Sequence, residues 1–340
     1  MISAEMPRRA IVLMNLGGPD SPAAVRPFLY NLFSDPAIIG LPALLRLPLA
    51  RLVAARRAAA ARAIYAQLGG ASPLLPNSEA QAQALEAALG AAYRCFIAMR
   101  YWHPLTDAAV AAVKAWQPDE IVLLPLYPQF STTTTASSHK AWQDEARRQK
   151  LNCPTRMIRS YPTMAGLVAA EAALIGRALD EAAAKGQAMR LLFSAHGLPL
   201  KIVRAGDPYP EEVESSAAAI VDALGRPGLD WRVCYQSRVG PLAWLGPSVE
   251  EELQRAGRDQ LAVVVAPISF VSEHSETLVE LDIEYRRVAE RIGVPGYYRV
   301  PTVGADPAFI AALADLVREG EGQPDPRLRR PAVAEAGTPV

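Results

Sequence analysis

Six short apolar runs, each cut off by proline, glycine or an aromatic residue, constrain this chain more than any other feature. Ala10-Ile-Val-Leu-Met-Asn15 breaks into Leu16-Gly17-Gly18-Pro19-Asp20, Arg94-Cys-Phe-Ile-Ala-Met99 into Arg100-Tyr101-Trp102-His103-Pro104, and Glu120-Ile-Val-Leu-Leu-Pro125 into Tyr127-Pro128-Gln129-Phe130-Ser131. Met189-Arg-Leu-Leu-Phe193 leads to His196-Gly197-Leu198-Pro199, Trp231-Arg-Val-Cys-Tyr235 to Gln236-Ser237-Arg238-Val239-Gly240-Pro241, and Leu261 to Ala266 runs into Pro267-Ile268-Ser269-Phe270. Unbroken apolar runs of this length suit strands covered on both faces, and such strands are parallel. Ala-rich helical stretches such as 78–92 and 106–116 separate them. Strands alternating with helices predict α/β architecture with doubly wound sheets.

The strand ends repeat. In both halves a Gly-Pro or Gly-x-Pro turn follows the first strand, an arginine or aromatic the second, and Pro-x-x-aromatic with hydroxyl residues the third. This predicts an internal duplication: two doubly wound α/β domains whose parallel sheets face a central cleft, where ligands of such folds bind. The first domain is expected over 8–155 and the second over 156–304. A C-terminal helix is expected over 305–319, and a tail over 320–340 lacks apolar period and reads as disordered.

Composition narrows the function. The 340 residues are 51% hydrophobic and 21% charged, and 35 basic residues balance 35 acidic ones. A neutral chain without a basic stripe is not expected to bind nucleic acid. Cys95, Cys153 and Cys234 are far apart, so neither a disulfide framework nor a Cys-ligated cluster is expected, which fits a reducing cytoplasm. No signal peptide and no membrane-spanning stretch is read. Segment 41–64 is unusual: its bulky apolar residues are mixed with five arginines and no acid through Arg57 and beyond. Residues alone leave two readings open, an amphipathic helix on its own domain or a lip meeting lipid headgroups.

The reactive side chains fall at strand ends. His196 stands just past a buried run, where a doubly wound fold places its ligands. His274 precedes Glu276 by two residues; it is read as a ligand, an orienting group or a helix cap. His103 is a weaker candidate, and His139 is expected to face solvent. Glu276, Glu280 and Glu284 are four apart and line one side of a helix. Ser272 or Glu273 is the expected N-cap, placing Glu276 in the first turn. The bland alternative is a solvated acidic face. No Pro-Cys-x-x-Cys, His-Glu-x-x-His, P-loop or Gly-x-Gly-x-x-Gly is present.

Taken in order, Asn15-Leu-Gly-Gly-Pro-Asp20, Arg100-Tyr-Trp-His-Pro104, Ser194-Ala-His-Gly-Leu-Pro199, Tyr235-Gln-Ser-Arg-Val-Gly-Pro241, Trp244-Leu-Gly-Pro247 and Pro267-Ile-Ser-Phe-Val-Ser-Glu-His-Ser-Glu-Thr277 with Glu280-Leu-Asp-Ile-Glu-Tyr285 resemble the ferrochelatase family, over residues 8–318. The resemblance implies a chelatase-like pair of Rossmann-like domains. It implies insertion of Fe²⁺ into protoporphyrin IX to give protohaem and two protons, the last step of haem biosynthesis. His196 and Glu276 match the family's metal-site pair, catalytic and metal-binding, and Glu280 and Glu284 its acidic path. Tyr65, Ser72, Arg100 and Tyr101 match positions that meet porphyrin or its propionates, and Leu16 a position often methionine beside the macrocycle. Trp244 and His274 are expected to border the substrate too. Segment 41–64 matches a hydrophobic lip, implying peripheral membrane contact for an otherwise cytoplasmic protein. Fe²⁺ is implied as substrate, with no tightly bound cofactor. Some members carry a [2Fe-2S] cluster on C-terminal cysteines; no cysteine follows Cys234, so none is expected here.

Metallation must strip two pyrrole protons, and a histidine titrating near neutrality suits that. Imidazole and carboxylate ligands discriminate poorly among divalent ions, so Zn²⁺ insertion is also expected. Three rivals remain: a coproporphyrin III chelatase, a non-catalytic haem or metal carrier, and a nucleotide-dependent α/β enzyme, against which the missing glycine fingerprint speaks.

Overall fold

The computed structural model describes residues 7–238 and 242–319. Two four-stranded parallel sheets form the frame. The first holds β1 (Arg9–Asn15), β2 (Tyr93–Met99), β3 (Glu120–Pro125) and β4 (Thr155–Met157) in the order β2-β1-β3-β4. The second holds β5 (Met189–His196), β6 (Trp231–Gln236), β7 (Ala262–Ala266) and β8 (Tyr297–Arg299) in the order β6-β5-β7-β8. The two orders are the same, as the repeated strand-end chemistry predicted. In each sheet the chain reverses direction of winding between the first and third strands, and the crevice for a ligand opens there.

Helices cover both faces. Between β1 and β2 lie α1 (Val25–Phe33), α2 (Ala43–Ala66) and α3 (Leu74–Leu89). The other crossovers of the first sheet are α4 (Thr106–Trp116) and α5 (Thr135–Arg148), and α6 (Ala165–Ala184) leads to the second. There α7 (Leu200–Arg204), α8 (Tyr209–Leu224) and α9 (Val249–Asp259) precede β7. A π-helix, Glu276–Glu284, continues directly into α10 (Tyr285–Arg291), and α11 (Pro307–Arg318) follows β8.

The four long central strands are apolar because both faces are buried; Ile11, Val12, Val122, Leu123, Leu191, Leu192, Val264 and Val265 are all inaccessible. The edge strands β4 and β8 were not expected, since three residues cannot display a period. β4 carries the first sheet past the expected break at 155. Helix α6 serves both halves: Leu167 and Ala170 join the core around β1 and β3, while Ile175 and Leu179 join that around β5 and β7. Helix α11 packs back against α3 and α6, burying Phe309, Leu313 and Val317 in the first core. Residues 320–340 and Val239-Gly240-Pro241, on which a tail and part of a motif were read, lie outside the described residues.

Candidate active site

His196 is the last residue of β5, in register with Gln236, the last of β6. The strand is buried through Ala195, then opens, and the His196 side chain is 42% exposed. Gly197 follows for a steric reason: its N–H donates to the Gln236 carbonyl at 2.8 Å, and a Cβ there would lie 2.6 Å from that oxygen. Half-buried Trp244 packs over the same glycine. From the second sheet's other crevice strand, β7, the chain crosses by Pro267 to Ser275 into the π-helix, whose first residue is Glu276. Glu276 Oε2 lies 2.9 Å from His196 Nδ1, and 3.6 Å from Nε2 of His274. His274 is buried, with Nδ1 placed 3.1 Å from the Ser272 carbonyl. Nδ1 thus faces that carbonyl and Nε2 faces Glu276. The Phe270 ring lies tilted 4.6 Å from that of His274 and edge-on 6.4 Å from that of His196.

Charge couples the two groups. Burial disfavours an imidazolium at His196, but the charge of Glu276, its hydrogen bond and the nearby Glu280 outweigh it and raise the pKa. Burial likewise opposes the Glu276 carboxylate, yet His196 and His274 hold its pKa well below the usual range. Glu280 is pushed up by burial and by Glu276, against hydrogen bonds from Ser237.

The three glutamates run outward along the π-helix. Glu276 is partly buried, Glu280 half-buried, and Glu284 exposed. Glu280 is held firmly: the Ser237 N–H donates to Oε1 at 2.7 Å, the Ser237 hydroxyl to Oε2 at 2.5 Å, and Gln236 Nε2 to Oε2 at 3.2 Å. Ser237 reaches with both groups because its backbone is left-handed, φ 59°. The expected caps are otherwise engaged. Ser272 donates to Gln81 and Glu273 pairs with Arg299, so Ser275 is the N-cap and makes no side-chain cap bond. Gln236, Ser237 and Phe270 were quoted in motifs without a role, because hydrogen bonding between sheet and helix has no sequence signature.

The first half supplies the facing wall. Tyr65, at the end of α2, is buried, and burial pushes its phenol up to about 12 against a hydrogen bond with Ser275, with the charge of Glu276 adding. Ser72 sits beside Gly18, where any Cβ would strike its side chain, and Leu16 is half-buried next to Tyr65, Tyr101 and Val25 in one cluster. Tyr65, Ser72 and Leu16 therefore come together on one wall, and Tyr65 brings it to Glu276. Arg100 and Tyr101 are placed differently. The Arg100 guanidinium pairs with buried Asp35 at 2.7 Å and donates to Ser137 at 2.9 Å. Tyr101 is only 1% exposed and its hydroxyl donates to Asp35 at 2.8 Å, so it braces Arg100 and offers no surface to a ligand. His139 corrects another expectation: it lies on the buried face of α5, and burial depresses its pKa to about 4. His103 is exposed.

Segment 41–64 forms most of α2. Its buried residues are alanines, Ala50, Ala54 and Ala58, while Leu44 is 89% and Leu45 61% exposed and Leu41, Leu47, Leu49 and Leu52 also face outward. Among the described residues, no helix is long and apolar enough to cross a membrane.

Twin doubly wound sheets with an imidazole–carboxylate pair at the cleft define an α/β protein of the chelatase class. Solved structures share the fold: SirB from Bacillus subtilis with Fe³⁺ aligns with a TM-score of 0.58 at 12% identity, covering 94% of this chain and 99% of that one. The sirohydrochlorin chelatase SirB from Bacillus subtilis subspecies spizizenii, in complex with cobalt, aligns at 0.55 and 13% identity over the same shares. A family profile described as Ferrochelatase matches residues 8–321. The chain is 55% identical to "Ferrochelatase" of Caulobacter vibrioides (strain NA1000 / CB15N), covering 92% of this chain and 90% of that one. It is 56% identical to that of Phenylobacterium zucineum (strain HLK1), covering 90% and 89%. The chain belongs to the ferrochelatase family.

Proposed function

We propose that this protein is a ferrochelatase of haem biosynthesis, a metal chelatase that inserts Fe²⁺ into protoporphyrin IX and releases two protons. The His196–Glu276 pair carries this reading. Among the described residues no three His, Cys, Asp or Glu side chains converge into a metal-holding set. A site of one imidazole and one carboxylate supports passing a metal on better than keeping it, which favours the enzyme over a tight carrier.

The roles divide by charge. Glu276, held ionised, is the hard-oxygen group that meets Fe²⁺. In the resting pair its charge favours the protonated form of His196. A dication arriving at Glu276 offsets that charge and lowers the His196 pKa, so that the imidazolium gives its proton to solvent and the neutral ring is left to take a pyrrole proton. His274 orients Glu276 from behind, much as outer partners orient metal ligands. Glu280 and Glu284 extend the acidic line from cleft to solvent. Tyr65, Ser72, Leu16 and Trp244 border the macrocycle, and Arg100 stands behind that wall on Asp35. The outward leucines of α2, interspersed with arginines, support peripheral contact with an anionic membrane surface. The Leu-Gly-Gly-Pro turn after β1 favours protoporphyrin over coproporphyrin III.

Anaerobic metallation followed by absorbance tests this. Fe²⁺ with protoporphyrin IX should turn over faster than with coproporphyrin III, and His196→Ala and Glu276→Gln should each abolish turnover while leaving the fold intact. Zn²⁺ should also be inserted. Preference for coproporphyrin would shift the substrate, and binding of either porphyrin without turnover would return the carrier reading.

A further inference from the structure

One face of α3 is polar at a place where the helix is covered. Its neighbours Leu74, Leu85 and Leu89 join the core, yet Ser78 and Gln81 are buried with them and Asn77 is half-buried. Burying an amide is costly unless its donors and acceptor are all bonded. Gln81 meets that condition with partners from the other half of the molecule. Its Nε2 donates to the carbonyls of Val271 at 3.0 Å and Gly304 at 2.9 Å, and its Oε1 accepts from the Ser272 hydroxyl at 3.0 Å. One turn earlier, Asn77 Nδ2 donates to the Glu273 carbonyl at 3.0 Å. Ser78, between them, accepts from Asn15 Nδ2 at 3.1 Å, and the Asn15 carbonyl oxygen of the side chain accepts from the Leu16 N–H at 2.8 Å.

Helix α3 thus grips two pieces of chain at once. One is the turn after β1 that carries Leu16. The other is 271–273, irregular chain that leads directly into His274 and Glu276. His196 needs no such support, because β5 is paired on both sides.

We propose that Asn77 and Gln81 are positioning residues for metal insertion, a strut that sets Glu276 and His274 against both His196 and the wall at Leu16. This rests on the ferrochelatase reading above. Misplacing a reacting group by about 1 Å is enough to cost roughly a hundredfold in rate, and irregular chain has no ladder of its own to prevent such a shift.

The test compares wild type with Gln81→Met, which keeps length and bulk but removes every hydrogen bond, and with Asn77→Ala, which loses one bond at a half-buried position and keeps the question open should Gln81→Met fail to fold. The expected result is a kcat for Zn²⁺ or Fe²⁺ insertion lowered roughly tenfold or more by Gln81→Met and less by Asn77→Ala. KM for the porphyrin stays within about twofold, because the Leu16 turn is held by Ser78 and Asn15, which neither variant changes. Amide hydrogen exchange should accelerate over 271–277 and stay unchanged in β5. Normal kcat with normal exchange in both variants overturns the proposal. So does a parallel fall in kcat, porphyrin affinity and melting temperature, which is bulk scaffolding. If wild type metallates no porphyrin, the functional reading fails, and exchange over 271–277 still decides whether the strut exists.

Discussion

A carboxylate and an imidazole in contact set each other's proton affinity. His196 has its pKa raised above 6.5 by Glu276 despite burial, so its basic form becomes available only above that raised value. Titration of the His196 ring by NMR should show an inflection above 6.5 that falls in Glu276→Gln; an unmoved inflection would break the coupling. The sign for stability follows. His196 contributes fully below its unfolded value of 6.5 and fades as pH rises through the folded one. Glu276 contributes above its unfolded value of 4.5 and fades as pH falls through its depressed one. The pair is therefore strongest between about pH 4.5 and 6.5, and weakens as pH rises from 6.5 through the raised His196 value. Glu171 behaves oppositely. Burial on α6 pushes its pKa from 4.5 to about 8. The folded state holds that proton more tightly, so stability declines as pH rises from 4.5 towards 8, by on the order of 5 kcal/mol. Denaturant titrations at pH 5 and pH 9 should show Glu171→Gln removing most of that decline.

Helices α2 and α9 show how an element's role depends on which face it buries. Helix α9 is a surface helix with a complete capping box: the Glu251 N–H donates to the Ser248 hydroxyl at 3.2 Å, and the Ser248 N–H to the Glu251 carboxylate at 2.6 Å. Ser248→Ala should cost about 1 kcal/mol in urea unfolding without touching metallation. Helix α2 packs through alanines and turns its leucines out, the reverse of a helix that serves its own core. Replacing Leu44 and Leu45 with glutamine should therefore leave stability within about 0.5 kcal/mol. Co-sedimentation with anionic liposomes should fall sharply, and unchanged partitioning would remove the lip from the membrane.

The two halves of the molecule repeat a topology but not a chemistry. The second crevice carries His196 and Glu276, while the first carries Arg100 on Asp35, whose carboxylate is lowered, despite burial, by Ser137, the Ala37 N–H, Arg100 and Tyr101. Nor are the halves separable. Helix α11, the last element described, completes the first core, and α6 lines both. Phe309→Ala should cost about 3–5 kcal/mol in global unfolding. Residues 7–158 expressed alone should lack a cooperative transition by calorimetry; a sharp one would show that the first half stands by itself.

The sequence by itself determined the six longer strands, the α/β class with its parallel sheets, and the position of His196 at a strand end. Each rests on local pattern: apolar run length, the turn chemistry of Gly and Pro, and the motifs around His196 and Glu276. Tertiary structure alone decided the rest. Edge strands β4 and β8 exist because a neighbouring strand pairs them. The buried state of His139 and Tyr101, the bonds that hold Glu280 on Ser237, and the grip of Gln81 on 271–272 and 304 all join residues remote in the chain. A side chain's hydrogen-bond partner and its exposure are properties of what packs against it, and local sequence records neither.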